Sequence, residues 1–336
     1  MKLRVFFLIL ILLASFLIFV KTRPPDEENF TIQNDLPINF ALNLEGAQES
    51  TVSISVQNSE DFSVQIGAGI VWKIEEGNTY ITTCAHLFDE QASQKIVIYP
   101  FGFEMKQYGE SAELIGISKN YDIALLKIQN SRSHYLSAKP SEDAITGKLI
   151  FALGNPYGKG GAISLGILSL PYEEIDNMFL HRIDCKLSPG NSGGGVFDAD
   201  GNVLGMITHK VLNKTDNSEF GYAIPFSALN ILANKILNNE EECSQYQNAL
   251  SFSFQVVEKR KSDDGKWIET LAITQIGQNN QFSIGDRIIA IFIDEQIYPI
   301  TSKGQLSIML MTLSSSSKIS IILAHYGDPK IVPITL

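Results

Sequence analysis

The sequence predicts a mainly β protein whose strands form antiparallel barrels or sandwiches. From about Phe40, short runs of β-branched and other apolar residues follow one another, and Gly, Asn, Asp or Pro stands at nearly every break. No long helical pattern lies between these runs, which include STVSISV, GAGIVWKI, TYITTCAHL, KIVIYPF, DIALLKI, KLIFALG and GAISLGILSL.

A helix and a second β-rich unit follow. In PFSALNILANKILNN the apolar residues recur at steps of three and four, which predicts a helix. The polar stretch NNEEECSQYQN after it indicates a linker or a helix end. From about Leu250 a smaller unit contains further strand patterns and one segment with helical spacing, KGQLSIMLMTL.

Composition bounds the class of protein. A chain of 336 residues is enough for roughly two domains. Its net charge of -11 argues against nucleic acid as a partner, because such binding depends on Lys and Arg. The 3 cysteines, Cys84, Cys185 and Cys243, contain no CxxC pair, which argues against a disulfide framework and a structural zinc site. At most one disulfide can form.

The amino terminus carries an apolar segment. Residues Val5–Val20 contain no charge, and Lys2 and Arg4 precede them. The run is close to the length of a membrane span, and a cleaved secretory signal peptide is the alternative. No A-x-A-like site ends the run, so we expect an uncleaved signal anchor over residues 1–22, followed by a Pro-rich acidic tether over 23–39. Either interpretation delivers the rest of the chain outside the cytoplasm, in a bacterium to the periplasm.

The stretch LSPGNSGGGVF, from Leu187 to Phe197, surrounds Ser192 with glycines. Such residues are common in surface turns, and that is one interpretation. The other is a sharp turn that presents the Ser192 hydroxyl and aims backbone N–H groups at a reacting carbonyl.

A serine nucleophile needs a base, and His86 is the best of the 5 histidines. It stands where a strand pattern ends, whereas His134 lies in a polar loop and His325 in the second unit. Asp122 opens an apolar strand, where it either caps the strand or pairs with His86. The chain order His86, Asp122, Ser192 is one of the orders known for a catalytic triad.

Five blocks in this order resemble the HtrA family of serine proteases: TTCAHLF, YDIALLKI, ALGNPYGKGGAISLGILS, SPGNSGGGVFDADGNVLGMIT and FGYAIPFSAL. The resemblance implies a chymotrypsin-like double antiparallel β-barrel over residues 40–240. It also implies a smaller α+β PDZ-like domain over residues 246–336. The layout of anchor, protease and single C-terminal module is most similar to the DegS type.

The resemblance also implies the roles of individual residues. His86 is the general base, Asp122 orients it, and Ser192 is the nucleophile, with the N–H groups of Gly190 and Ser192 as the oxyanion hole. Leu187, Met206 and Thr208 are expected to line an apolar pocket for a small or medium aliphatic side chain. His209 is expected to face solvent, and neither cofactor nor metal is implied. The chain departs from the family pattern at Ser188, Gly195, Ile207 and Cys84.

The second unit resembles a PDZ domain through FSIGDRIIAI, around Gly285 and Asp286, and through the helical GQLSIMLMTL. Such a domain binds the free C-terminus of a peptide as an added strand. The segment YQNALSFSF lacks the glycine expected of the carboxylate-binding loop, so a packing module without a ligand is the alternative.

Together with the apolar amino terminus, the resemblance implies a membrane-anchored envelope endopeptidase that cleaves misfolded or regulatory proteins. By resemblance it is a homotrimer, with Phe30 and Phe40 as contact candidates. The alternatives are a chaperone-like binding protein that has lost activity and a signalling adaptor in which the PDZ-like domain carries the main role.

Overall fold

The computed structural model describes residues 44–59, 62–89, 93–103, 109–141, 144–175, 178–208, 220–240, 252–261, 267–276, 281–293, 296–311, 313, 318–325 and 328–334. The predicted anchor, the tether and the trimer candidates Phe30 and Phe40 lie outside these ranges, as do His209 and Cys243. Within the ranges, no helix is both long enough and apolar enough to cross a bilayer.

The first six strands form a closed antiparallel barrel, barrel 1, in the order β1-β2-β3-β6-β5-β4. Ile54, Ile70, Ile81, Ile98 and Leu125 are fully buried and belong to its strands. Closure leaves no exposed strand edge, so backbone groups pair around the ring. A short helix, α1 (Glu45–Glu49), precedes the strands β1 Thr51–Asn58, β2 Val64–Glu75, β3 Asn78–Thr83, β4 Gln94–Pro100, β5 Glu110–Ser118 and β6 Ile123–Gln129.

The next six strands form a second closed barrel, barrel 2, in the order β10-β11-β12-β9-β8-β7. Its buried core includes Ile150, Leu168, Ile183, Val196 and Ile207. The prediction of a mainly β, chymotrypsin-like double barrel is therefore confirmed. The strands are β7 Leu149–Gly154, β8 Ala162–Ile175, β9 Met178–Ile183, β10 Gly195–Asp198, β11 Val203–Thr208 and β12 Gly221–Pro225.

The predicted helix, α2 (Phe226–Asn238), follows barrel 2 and packs on both barrels, against β5, β6 and β11. It ends at Asn239, which adopts a left-handed conformation with φ 54°. The indole Nε1 of Trp72, on β2, donates a 2.8 Å hydrogen bond to Asn230 Oδ1. The helix thus connects the two barrels along one side.

The C-terminal module contains a six-stranded antiparallel sheet with a core order β13-β14-β15-β17-β18, and β16 pairs with β15. At the FSIGD turn the Ser283 N–H donates a 2.9 Å hydrogen bond to the buried Asp286 carboxylate, and Gly285 has φ 94°. The elements are β13 Phe252–Lys261, β14 Trp267–Ile276, β15 Arg287–Ile293, β16 Gln296–Pro299, α3 Lys303–Met311, β17 Ile319–His325 and β18 Asp328–Ile334.

Helix α3 joins this module to barrel 2. A Cβ atom built on Gly304 would lie 2.0 Å from Tyr172 Cδ2 on β8, so the helix backbone lies directly on the tyrosine ring. The Lys303 ammonium lies 5.9 Å from the centre of the Phe179 ring on β9. Beside this contact is a cavity of about 880 Å³, lined in part by Trp72, Tyr172, His181, Leu204 and Ile308. The module is therefore in close contact with barrel 2 at Tyr172, and unfilled space lies next to this contact.

His181, on β9, lies beneath the same contact. Its side chain is buried, its ring centre is 5.4 Å from that of Tyr172, and its Nδ1 is hydrogen-bonded to the Pro171 carbonyl. Burial lowers the pKa of His181 to about 4, which outweighs the opposite effect of hydrogen bonds to the backbone of Pro171 and Leu204. The histidine is therefore neutral in the folded protein at neutral pH.

This burial predicts a pH-dependent loss of stability. His181 is harder to protonate in the folded chain than in the unfolded chain. The stabilisation that the neutral ring contributes to folding is therefore fully present above pH 6.5 and is lost as the pH falls towards 4. At about 1.4 kcal/mol per pH unit, the loss approaches about 3 kcal/mol. Between pH 7 and pH 4, the unfolding free energy of the wild type is therefore expected to fall by about 3 kcal/mol more than that of His181→Leu, measured by denaturant titration. His134→Gln, at an exposed site, is the control, and equal pH dependence in both variants would contradict the assignment.

Candidate active site

Strand pairing brings His86 and Asp122 together. Strands β3 and β6 are antiparallel neighbours, with Thr83 opposite Ala124. His86 lies just beyond the end of β3, in a 3-10 helix over Ala85–Leu87, and Asp122 immediately precedes β6. Both residues therefore stand at the same edge of barrel 1. Their roles as base and orienting carboxylate stay a prediction.

The Asp122 carboxylate accepts hydrogen bonds from two residues. His86 approaches with Nδ1, 3.0 Å from both carboxylate oxygens, and with its backbone N–H, 3.0 Å from Oδ1. Thr208, on β11 of barrel 2, donates its hydroxyl to Oδ2 over 2.6 Å. Burial acts to raise the pKa of Asp122, but these hydrogen bonds and the His86 charge outweigh it and lower the pKa. The carboxylate is therefore ionised and holds the His86 ring by its Nδ1 edge.

The loop that carries Ser192 packs against barrel 1. The Ala68 N–H on β2 donates a 2.8 Å hydrogen bond to the Ser192 carbonyl. Gly193 has φ 85°, and a Cβ atom there would lie 2.2 Å from the Ala68 carbonyl oxygen and 2.3 Å from Thr83 Oγ1. Only glycine allows this approach, so the residue after Ser192 is fixed by the contact between the barrels.

The loop is also held from within barrel 2. The Gly193 N–H donates to the Ile207 carbonyl over 2.8 Å, and the thiol of Cys84 donates to the same oxygen over 3.3 Å. The Ile207 N–H donates in return to the Gly194 carbonyl over 2.8 Å. Strand β11 therefore contacts the Ser192 loop, the segment of His86 and, through Thr208, Asp122.

The peptide before Gly190 has a defined orientation. The Tyr157 N–H donates a 2.9 Å hydrogen bond to the Pro189 carbonyl, and the Asn155 N–H donates a 3.2 Å bond to the Gly190 carbonyl. In a trans peptide the N–H points opposite to the C=O, so the Gly190 N–H points away from Tyr157. Gly190 has φ 100°, and a Cβ atom there would lie 2.2 Å from the Asn155 carbonyl oxygen. Among the described residues, no backbone hydrogen bond uses the Gly190 N–H as its donor.

Of the three residues predicted to line a substrate pocket, Met206 and Thr208 lie on β11, and Leu187 packs against the core of barrel 2. Met206 and Thr208 are buried, and the Thr208 hydroxyl is bonded to Asp122. Leu187 is half-buried, and it packs against Gly221 so closely that a Cβ atom there would lie 2.4 Å from Leu187 Cδ1. Leu187 is therefore the one of the three that retains accessible surface, and the pocket role of all three stays a prediction.

Two features of this site do not follow from the sequence. The sequence places Thr208 in the pocket, whereas its hydroxyl bond to Asp122 depends on how the two barrels pack, which no local pattern predicts. Cys84 departs from the family pattern, but the sequence does not show that its buried thiol lies beside Asp122. Burial, and then the Asp122 charge, raise the pKa of this thiol well above its usual value.

The chain is similar in sequence to known serine proteases. Residues 67–206 match a model described as a trypsin-like peptidase domain. The chain is 28% identical over 209 residues to the serine protease Do-like HtrA of Bacillus subtilis, a match covering 58% of the chain and 45% of that protein. It is 24% identical over 295 residues to the serine endoprotease DegS of Haemophilus influenzae, covering 84% and 81% of the two chains.

The fold extends the similarity along the chain. The solved structure described as HtrA-type protease AlgW with tripeptide matches with a TM-score of 0.55 at 20% identity, over 88% of this chain and 96% of that one. The double barrel and the match over residues 67–206 make this part of the chain similar to a trypsin-like peptidase domain. The resemblance to HtrA-type serine proteases predicted from the sequence is confirmed by these similarities. The chain spans less than half the length of the Bacillus subtilis relative.

The contact between Thr208 and Asp122 generates a prediction. A hydrogen bond to a charged group contributes about 1.5–3 kcal/mol, so Thr208→Val is expected to lower kcat about 10- to 100-fold. Thr208→Ser keeps the hydroxyl and is expected to retain most activity. Steady-state cleavage of peptides with different side chains before the cut checks this. A change confined to substrate preference, with kcat retained, would assign Thr208 to the pocket instead.

Proposed function

We propose that the chain is a serine endopeptidase that cleaves protein substrates through Ser192, His86 and Asp122. The observation that carries the proposal is the pair of hydrogen bonds that holds His86 Nδ1 on the buried, ionised Asp122. This pairing supports a ring whose Nε2 is free of its proton and directed away from Asp122. The similarity to proteins named serine proteases supports the same reaction.

The geometry suggests how each group would act. His86 Nε2 takes the proton of Ser192 as its oxygen attacks a peptide carbonyl, and then gives that proton to the leaving amine. Asp122 keeps the ring tautomer and stabilises the imidazolium formed in the transition state. Thr208 acts through Asp122 by fixing the carboxylate.

The oxyanion is proposed to bind at the N–H groups of Gly190 and Ser192. The orientation of the peptide before Gly190 supports this role, because its carbonyl is turned towards Tyr157. Preorganised donors of this kind each contribute about 10²–10³ in turnover. We also propose that Leu187 contributes the apolar wall of the pocket for the residue before the cut.

Ser192→Ala tests the reaction. We expect kcat to fall by about 10⁵–10⁶-fold, because the nucleophile is lost. A fluorophosphonate is expected to label the wild-type chain at Ser192 and leave the variant unlabelled, measured by peptide mass spectrometry. Ser188→Ala, four residues earlier in the same loop, is the control. Absence of both labelling and cleavage in the wild type would favour a binding protein that has lost activity.

We further propose that the C-terminal module over residues 246–336 is PDZ-like and regulates the site by binding a free peptide C-terminus. A chain of contacts supports this proposal. Gly304 packs on the Tyr172 ring, and Tyr172 packs on His181. The His181 ring in turn contacts the backbone of Leu204. Leu204 is on β11, the strand that also carries Ile207 and Thr208. The cavity beside the contact supports movement of one unit against the other.

The regulation is tested with peptides that have free or amidated C-termini. Coupling of the usual size predicts a 5- to 150-fold change in kcat/KM with a matching free C-terminus. Gly304→Ala is expected to lose this response, since its Cβ would overlap the Tyr172 ring. Gly46→Ala, where a Cβ meets nothing within 4 Å, is the matched control. No response of the wild type to any peptide would favour a packing module without a ligand.

We propose an envelope location with a single-pass anchor over residues 1–22 and the protease domain in the periplasm. The apolar run of Val5–Val20 and the similarity to a probable periplasmic endoprotease of Buchnera aphidicola support this. The homotrimer, with Phe30 and Phe40 at its contact, is proposed from the family resemblance. Recovery of the full-length chain as a monomer in the soluble fraction would contradict both proposals.

A further inference from the structure

Cys84, His86 and Asp122 form a cluster of side chains able to hold a metal ion. The Sγ of Cys84, a ring nitrogen of His86 and a carboxylate oxygen of Asp122 all lie within 4.8 Å of one another. Cys84 is a departure from the family pattern at a position two residues before the histidine. The cluster is therefore a feature of this chain that the catalytic role of His86 and Asp122 does not require.

We propose that this cluster binds a thiophilic divalent cation, represented by Zn²⁺, and that binding inhibits the protease. The inhibition rests on the proposed function, whereas the binding does not. The ion would replace the hydrogen between His86 and Asp122, with Cys84 as its third ligand.

The donors suit zinc better than other common divalent ions. Thiolate, imidazole and carboxylate are the ligands that Zn²⁺ takes in proteins, whereas Mg²⁺ and Ca²⁺ require mainly oxygen. Tetrahedral zinc with bonds of about 2.0–2.3 Å separates its ligand atoms by about 3.3–3.7 Å. His86 Nδ1 and Asp122 Oδ2 are 3.0 Å apart, and the widest separation in the cluster has to shorten by about 1 Å.

The charges of the buried ligands require a cation, and the site is accessible from solvent. Cys84 and Asp122 are buried, and a thiolate beside a carboxylate there is costly without a cation. A divalent ion balances both negative charges, and the thiol proton leaves to solvent. The His86 side chain is 42% exposed, so the cluster reaches solvent past the edge of this ring.

Binding at Nδ1 has a direct consequence for the proposed reaction. Neutral imidazole carries one ring proton, and a metal on Nδ1 leaves that proton on Nε2. Nε2 is then a donor and cannot accept the proton of Ser192. Cleavage stops although the nucleophile itself is unchanged.

The experiment measures inhibition and binding separately on the full-length chain. Peptide cleavage is titrated with Zn²⁺, with Mg²⁺ and Ca²⁺ as controls, and each variant is compared with its own rate without metal. We expect Zn²⁺ to inhibit reversibly, with activity restored by a chelator. Even loss of an outer partner of a zinc ligand costs about 10–100-fold in affinity, so Cys84→Ala is expected to raise the half-inhibiting concentration more than about 100-fold. Cys185→Ala, at the other described buried cysteine, is expected to leave it unchanged.

Binding is measured with Co²⁺ on the Ser192→Ala protein, which needs no activity. We expect thiolate-to-cobalt charge-transfer absorption that disappears in Cys84→Ala/Ser192→Ala. Cys84→Ser serves as a second replacement, and circular dichroism establishes that each variant is folded. Equal Zn²⁺ inhibition of the wild type and Cys84→Ala, or absence of the thiolate absorption, would overturn the proposal. Absorption without measurable proteolysis would retain the metal site and contradict the proposed function.

Discussion

The buried carboxylate of Asp122 is the constraint on which the site depends. An ionised group in a protein interior is stable only when hydrogen bonds replace its lost water. Here the replacements come from both barrels, as the ring and backbone of His86 on one side and the hydroxyl of Thr208 on the other. The same bonds that stabilise the charge orient the histidine. Folding of the double barrel and formation of the site are therefore one process.

Strand β11 of barrel 2 holds the Ser192 loop and Asp122 in place through hydrogen bonds. Successive residues of the strand contact different parts of the site. Ile207 exchanges backbone hydrogen bonds with Gly193 and Gly194, and the Thr208 hydroxyl donates a hydrogen bond to Asp122. Leu204, near its start, contacts His181 below the C-terminal module. Strand β11 therefore contacts His181 near its start and Asp122 at its end.

The C-terminal module contacts barrel 2 through an unevenly packed interface. Gly304 lies directly on Tyr172, so the helix cannot approach further, whereas a cavity remains beside it. An interface that includes unfilled space has fewer packing interactions than a fully packed one.

The sequence by itself determined the strands and helix α2, because the spacing of apolar residues and the turn residues are local features of the chain. It also showed that His86, Asp122 and Ser192 occur in the chain order of a catalytic triad. The glycines around Ser192 likewise predicted a sharp turn, and Gly190 and Gly193 adopt positive φ angles that other residues rarely adopt. Only the tertiary structure decided that Thr208 faces Asp122, that Cys84 lies beside it and that His181 is buried under Tyr172. Each of these contacts joins residues distant in sequence, and their partners are set by how closed barrels pack and not by any local preference.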